Sequence, residues 1–141
     1  MEKSNILIVD DTKEVISSFK RELRSEPYNV FFAGSGEDAL ETLSEHPCKV
    51  IISDVKMPMM DGFELLAKVK ELYPDMIRVV LSGHSDVKLI LKIVNERGID
   101  RYLTKPWEIV DVKRTINECI EIFDLRKEVV NLRKQLKIEK K

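Results

Sequence analysis

The sequence has few cysteines, no long apolar run and no marked excess of charge of either sign. Its two cysteines, Cys48 and Cys119, have no His or Cys neighbours at metal spacing, so they form neither a disulfide framework nor a zinc site. The apolar stretches fall far short of the roughly 18 residues that a membrane span requires. The 24 basic and 25 acidic side chains nearly cancel, which gives no support to binding through net charge. Because the N-terminus also shows no signal-peptide pattern, we predict a cytoplasmic protein that binds neither membranes nor, through this segment, nucleic acid.

Short apolar runs alternate with segments of helical periodicity along the chain. The predicted strands are residues 5–9, 29–33, 50–53, 77–81 and 99–104. The predicted helices are residues 12–24, the segments that Pro47 and Pro74 close, residues 86–96, and one long helix from about residue 109. Gly98, after the fourth helix, suits a left-handed C-cap. Five strands alternating with five helices predict one α/β domain, a doubly wound parallel sheet with helices on both faces.

Acidic residues follow two of these predicted strands. Asp10 and Asp11 come directly after the first strand, and Asp54 comes directly after the third. For a single aspartate, a turn at a strand end is the simpler interpretation. Ligands of open α/β sheets bind at the carboxyl ends of the strands, so the second acidic site favours a chemical role. We expect the three carboxylates to meet at one edge of the sheet.

A hydroxyl and an ammonium group follow the fourth and fifth strands, as Ser82 and Lys105. Clustered carboxylates repel one another unless a cation neutralises them, and Mg²⁺ prefers such oxygen ligands together with water and phosphate oxygens. A lysine and a serine at the same edge suit the oxygens of a phosphoryl group. A carboxylate can itself accept that group and form an aspartyl phosphate. The set therefore predicts a phosphoryl-transfer site at this edge of the sheet.

These residues lie in motifs that resemble the receiver domain of two-component response regulators. The resemblance extends from residue 6 to about residue 123, and its motifs are residues 6–11, 51–62, 81–83 and 102–106. Each motif alone is weakly specific, but their order and spacing together are highly specific. The resemblance implies a flavodoxin-like, five-stranded sheet with strand order 2-1-3-4-5. It also implies that Asp54 accepts a phosphoryl group from a sensor histidine kinase or from a small phosphodonor.

The resemblance also implies a role for each remaining site residue. The implied ligands of Mg²⁺, or of Mn²⁺ in its place, are Asp10, Asp11, Asp54 and the backbone carbonyl of Lys56. Ser82 corresponds to the switch hydroxyl, Lys105 to the phosphate-binding lysine and Tyr102 to the switch aromatic. The peptide bond between Lys105 and Pro106 is expected to be cis. The output surface would be helix four, strand five and helix five, while Lys56 and His84 lie where the family tunes the lifetime of the phosphoryl group.

Beyond residue 123 the chain continues with a heptad pattern. Its a and d positions are Ile122, Leu125, Val129, Leu132 and Leu136. We expect a receiver domain over residues 1–123 and, over residues 124–141, a helical extension that forms a parallel homodimer and leads toward an output domain absent from this chain. In that register Glu121 and Glu128 would face Arg126 and Arg133 of the partner subunit. The alternatives are an amphipathic extension that folds back on its own domain, or a partly frayed tail, since isolated helices of this length are marginal.

Three other functions compete with a switching receiver. A haloacid-dehalogenase-like phosphatase would also use an aspartate nucleophile, but it needs a second acid where this chain has Lys56. A flavodoxin-like electron carrier would place its flavin phosphate near Asp10 and Asp11, which would repel it. The third is a degenerate receiver that acts only in protein interaction, although every acceptor-site residue is present. The preferred interpretation is a receiver that is not an enzyme beyond its own phosphotransfer and autodephosphorylation.

Overall fold

The computed structural model describes residues 3–83, 88, 90, 91 and 98–139. Five parallel strands form one sheet in the order β2-β1-β3-β4-β5, which confirms the predicted fold class. The strands are β1 (Asn5–Val9), β2 (Asn29–Ala33), β3 (Val50–Asp54), β4 (Ile77–Gly83) and β5 (Arg101–Lys105). The helices are α1 (Lys13–Glu22), α2 (Gly36–Glu45), α3 (Gly62–Leu72) and a C-terminal helix (Ile109–Glu139). Of the helix predicted over residues 86–96, Lys88, Ile90 and Leu91 are described, and these three are helical.

The sheet buries apolar side chains on both faces because successive residues of a strand point to opposite sides. On one face, Leu7 and Val9 of β1 pack in a core with α2 and α3. On the other face, Ile6 and Ile8 pack in a core with α1 and the C-terminal helix. Near-continuous apolar strands are typical of parallel sheets covered on both faces. The polar groups of this sheet are therefore concentrated at the strand ends.

Strand β4 extends two residues beyond its predicted end. Ser82 and Gly83 belong to the strand because they pair in register with Thr104 and Lys105 of β5. Strand β5 begins at Arg101, two residues later than predicted. Gly98 before it has φ of 72°, the left-handed conformation that was expected of this glycine.

The C-terminal helix is 31 residues long, which corresponds to roughly 46 Å. Its first part buries Val112, Ile116 and Cys119 against the sheet. Between residues 124 and 137 its apolar side chains are exposed. Among the described residues, no helix has both the length and the apolar character that a membrane crossing demands.

Candidate functional site

Strands β1 and β3 bring three carboxylates together at the carboxyl edge of the sheet. These strands are paired, and Asp10 and Asp11 follow β1 while Asp54 is the last residue of β3. One oxygen from each of these aspartates lies within 4.8 Å of the others. Asp10 and Asp54 are buried, and Asp11 is exposed. The sequence-predicted acidic cluster is thus present in the structure.

Lys105 at the end of β5 contacts two of these acids. Its Nζ donates to Asp10 Oδ2 at 2.9 Å and to Asp54 Oδ1 at 3.2 Å. The peptide bond between Lys105 and Pro106 is cis, as predicted. Two of the three carboxylates share the ammonium group of Lys105, so this one cation does not balance the negative charge of the cluster. That excess, held on oxygen ligands, is suited to a hard divalent cation such as Mg²⁺.

The pKa values of Asp54 and Lys105 reflect this concentration of charge. Burial raises the pKa of Asp54 and the charge of Asp10 raises it further, while Lys105 and a hydrogen bond from the backbone of Val55 act against that rise. The net pKa of Asp54 lies above its ordinary value. Burial lowers the pKa of Lys105, but Asp10 and then Asp54 outweigh it, so the net pKa is raised. Lys105 is held as a cation beside a carboxylate whose ionised form is destabilised.

The Ser82 hydroxyl is buried next to this cluster. Leu81 pairs with Asp54 across β3 and β4, so Ser82 is one position beyond that pair. Its Oγ has no hydrogen-bond partner among the described residues, although the side chain is only 1% exposed. Buried hydroxyls are nearly always hydrogen-bonded. A group with strong acceptor atoms at this edge would satisfy it.

Comparisons with known proteins agree with this geometry. A family model described as the response regulator receiver domain matches residues 6–117. The chain belongs to this family. It is therefore a receiver domain of the kind found in two-component systems, whose members work with histidine kinases. A receiver domain by itself is not an enzyme.

The receiver has curated relatives and solved structures of the same family. It is 35% identical over 126 residues to the hydrogenase transcriptional regulatory protein HoxA of Bradyrhizobium diazoefficiens, a match that covers 89% of this chain and 26% of HoxA. The chain spans about a quarter of the length of the curated relatives it matches. The signal receiver domain of an HD domain-containing protein from Pseudomonas fluorescens Pf-5 superposes with a TM-score of 0.84 at 33% identity, over 91% of this chain and 94% of that one. A CheY-like receiver from Methanospirillum hungatei JF-1 superposes with a TM-score of 0.80 at 29% identity, over 89% of this chain and 99% of that one.

Two other predicted site residues of this receiver are described, and both are exposed. Tyr102 is in β5, and its side chain is 39% exposed. Lys56 lies in the loop after β3 and is exposed. Metal binding by its carbonyl oxygen stays a prediction. His84 lies outside the described residues.

Two residues that the sequence analysis did not single out support the receiver's acidic edge. The backbone N–H of Thr12 donates to Asp10 Oδ1 at 2.9 Å and so fixes that carboxylate. Gly62 begins α3 against the backbone of β3, and a Cβ there would clash with the carbonyl oxygen of Asp54. Its N–H donates to the carbonyl of Val55 at 2.8 Å. An aspartate whose side chain bonds the N–H two residues on is a known turn motif, so the Thr12 contact had a local signal, whereas the Gly62 contact did not.

Proposed function

We propose that this receiver accepts a phosphoryl group on Asp54 from a sensor histidine kinase, in a reaction that depends on Mg²⁺ or Mn²⁺. The observation that carries the proposal is the convergence of three aspartate oxygens within 4.8 Å, with Lys105 bonded to two of the acids. Phosphoryl transfer is catalysed mainly by positioning and by neutralising charge. The site supplies both.

In the proposed transfer, a carboxylate oxygen of Asp54 attacks the phosphorus of a phosphohistidine. An oxygen–phosphorus bond forms as the nitrogen–phosphorus bond breaks, and the imidazole nitrogen leaves with the bonding electron pair. Lys105 Nζ lies 3.2 Å from Asp54 Oδ1, so it can donate to an oxygen of the incoming group. The buried Ser82 Oγ can donate to another oxygen of that group.

Asp10, Asp11 and Asp54, with the backbone carbonyl of Lys56, would hold the divalent cation. When bound, the cation neutralises charge on the phosphoryl oxygens and on the acids. The negative charge that Lys105 leaves uncompensated supports this assignment. The raised pKa of Asp54 supports it as well, because a cation would relieve the repulsion from Asp10.

Phosphorylation then shifts the population between two packings of the receiver. In one packing, as observed, the Ser82 hydroxyl has no hydrogen-bond partner among the described residues and Tyr102 is exposed. In the other, Ser82 bonds the phosphoryl group and Tyr102 turns inward. The surface formed by β5, the C-terminal helix and the segment between β4 and β5 changes as a result.

The proposed output is homodimerisation through residues 124–141, with residues 1–123 as the phosphoacceptor domain. Four heptad positions past the core are exposed: Leu125 54%, Val129 44%, Leu132 51% and Leu136 55%. Such a row of leucine and valine at a and d positions is typical of a two-stranded parallel coiled coil. A second copy of the chain is the partner that this spacing fits.

The acceptor assignment is tested by incubating the full chain with acetyl phosphate and Mg²⁺ and measuring intact mass. The parent is expected to gain one phosphoryl group, and chelation of Mg²⁺ should abolish the gain. Asp54→Asn should not react, whereas Asp38→Asn, a matched change at a surface aspartate of α2, should behave like the parent. An Asp54→Asn chain that gained the group at the parent rate would contradict the proposal. A parent that gains nothing under these conditions would favour the degenerate receiver.

A further inference from the structure

The C-terminal helix is fastened to the receiver at the point where its exposed heptads begin. Three ion pairs join consecutive parts of one helix turn to the domain: Asp124 with Lys49 at 2.7 Å, Arg126 with Asp100 at 3.0 Å, and Lys127 with Asp75 at 3.1 Å. Phe123, just before them, packs against the core. The helix therefore leaves the domain in a direction that these contacts fix.

These contacts occupy one side of the helix and leave the dimer seam open. With Val129 at position a and Leu125 and Leu132 at position d, residues 123, 124, 126 and 127 fall at b, c, e and f. The a and d side chains from Leu125 onward are exposed. Ile122, the first a position, is instead half-buried against its own core. The seam available to a second copy thus begins at Leu125.

Arg126 has two possible ion-pair partners, one in a second copy of the chain and one in its own domain. In a parallel dimer its e position would face Glu121 of the partner subunit, at position g. In the structure Arg126 donates instead to Asp100 Oδ1 of its own chain. The Asp100 side chain is only 17% exposed, so this pair is better shielded from water than an ion pair between exposed e and g positions.

Among the described residues, no other cationic side chain contacts Asp100 as closely as Arg126 does. Its other oxygen accepts the backbone N–H of Arg78 at 2.9 Å, but the nearest guanidinium contact of Arg78 is 4.0 Å away. The Arg78 guanidinium is already bonded to the carbonyls of Gly98 and Met76. The Asp100 carboxylate is largely buried. If Arg126 were released, the carboxylate would keep the hydrogen bond from the backbone N–H of Arg78 but would lose its close contact with a guanidinium group.

We infer that Arg126 stays bound to Asp100 in the dimer, so that charge pairing between the chains is confined to Glu128 and Arg133. This inference rests on the proposed parallel dimer. Glu128 and Arg133 are exposed, and neither has an ion-pair partner among the described residues. The pair between Glu128 and Arg133 then specifies the partner copy, and the contacts of Asp124, Arg126 and Lys127 orient the helix on its own domain.

The test compares two glutamate substitutions that are one heptad apart, Glu121→Gln and Glu128→Gln. The dimer dissociation constant of the full chain is measured by sedimentation velocity, with and without beryllofluoride and Mg²⁺. Glu128→Gln should weaken the dimer roughly threefold, because a symmetric dimer loses two surface pairs. Glu121→Gln should leave the constant unchanged, and an equal loss in both variants would overturn the inference.

Asp100→Asn provides the reciprocal test, since it should release Arg126. In that background Glu121→Gln should weaken the dimer as Glu128→Gln does in the parent, provided that circular dichroism shows a folded chain. If Glu121→Gln still had no effect in the folded variant, the assigned role of Asp100 would be wrong. Leu132→Lys is the control that should abolish the dimer. A parent that stays monomeric with and without beryllofluoride would overturn the proposed dimer itself, while leaving the acceptor assignment intact.

Discussion

Two charged groups act on Asp54, and they act in opposite directions. Asp10 destabilises the ionised form of Asp54, as burial also does, while Lys105 stabilises it. The acceptor thus depends on a lysine that it shares with Asp10 at 2.9 Å. A site arranged in this way binds added positive charge readily and is less stable without it.

We predict that Asp54→Asn stabilises the receiver at neutral pH when divalent cations are absent. Because folding raises the pKa of Asp54, its ionisation works against the folded state; this destabilisation is absent below the ordinary carboxyl pKa and develops as pH rises past it. Removal of the charge should raise the free energy of unfolding by about 1 kcal/mol, a typical size for a single substitution. Urea titration with a chelator present measures the effect.

The difference between Asp54→Asn and the parent should shrink as pH is lowered toward the ordinary carboxyl pKa. It should also shrink when Mg²⁺ is added, because the cation binds the folded parent. Asp38→Asn serves as the control for loss of one surface carboxylate. If Asp54→Asn were less stable than the parent in chelator at neutral pH, the electrostatic account of the site would be wrong.

The sequence predicts which side chains meet at the acidic edge but not what supports them. Asp54 and Lys105 could be found because strand ends of a parallel sheet meet at one edge, whichever loops follow. That Ser82 Oγ finds no hydrogen-bond partner in the described part of the chain could not be predicted, since it depends on how β4 packs. The role of Gly62 depends on the approach of two backbones, which leaves no periodic signal in a sequence.

At the scale of elements, the way α3 joins β3 positions the acceptor. Asp61 caps α3 by accepting the N–H of Glu64 at 2.9 Å, and Gly62 then brings the first turn against the backbone of Asp54. The loop between them includes Met59, which has φ of 70° and is fully exposed. The helix start and the acceptor are therefore one packed unit.

We predict that Gly62→Ala destabilises the receiver and slows phosphorylation. The added methyl group would meet the carbonyl oxygen of Asp54, which cannot move without moving the acceptor. Overpacking of this kind costs about 1–3 kcal/mol. Gly34→Ala is the matched control, because no atom lies within 4 Å of a Cβ at that position. Thermal unfolding and the rate of reaction with acetyl phosphate measure both effects, and equal behaviour of the two variants would contradict the close approach.

The long C-terminal helix shows where element prediction succeeds and where it ends. Its start at Ile109 and its continuation past Phe123 followed from composition and periodicity. Periodicity could not reveal that Ile122 packs on its own core, because an a position looks the same whether it contacts a domain or a second chain. That distinction depends on the tertiary ion pairs of Asp124, Arg126 and Lys127.

Across the whole molecule, strands β4 and β5 connect the acidic edge to the start of the helical extension. Near their carboxyl ends are Ser82 and Lys105. Near their amino ends are Arg78 of β4 and Asp100, which precedes β5 and contacts Arg126. Ser82 is four positions after Arg78, which corresponds to about 13 Å of strand. A change in packing at one end of these strands therefore has a short, rigid route to the other.

We predict that Ser82→Ala retains phosphorylation but loses its effect on dimerisation. The alanine removes the hydroxyl that would bond the phosphoryl group, while the residues that hold the metal and accept the phosphoryl group remain. With beryllofluoride and Mg²⁺, the dimer dissociation constant of the parent should fall at least about fivefold, the lower range of allosteric coupling. For Ser82→Ala this constant should change less than twofold, and Ser82→Thr, which keeps the hydroxyl, should follow the parent.

Sedimentation velocity measures dimer association, and intact mass after treatment with acetyl phosphate measures phosphorylation. Were Ser82→Ala to dimerise as strongly as the parent on addition of beryllofluoride, the signal would have to leave the acidic edge by a route that does not involve this hydroxyl.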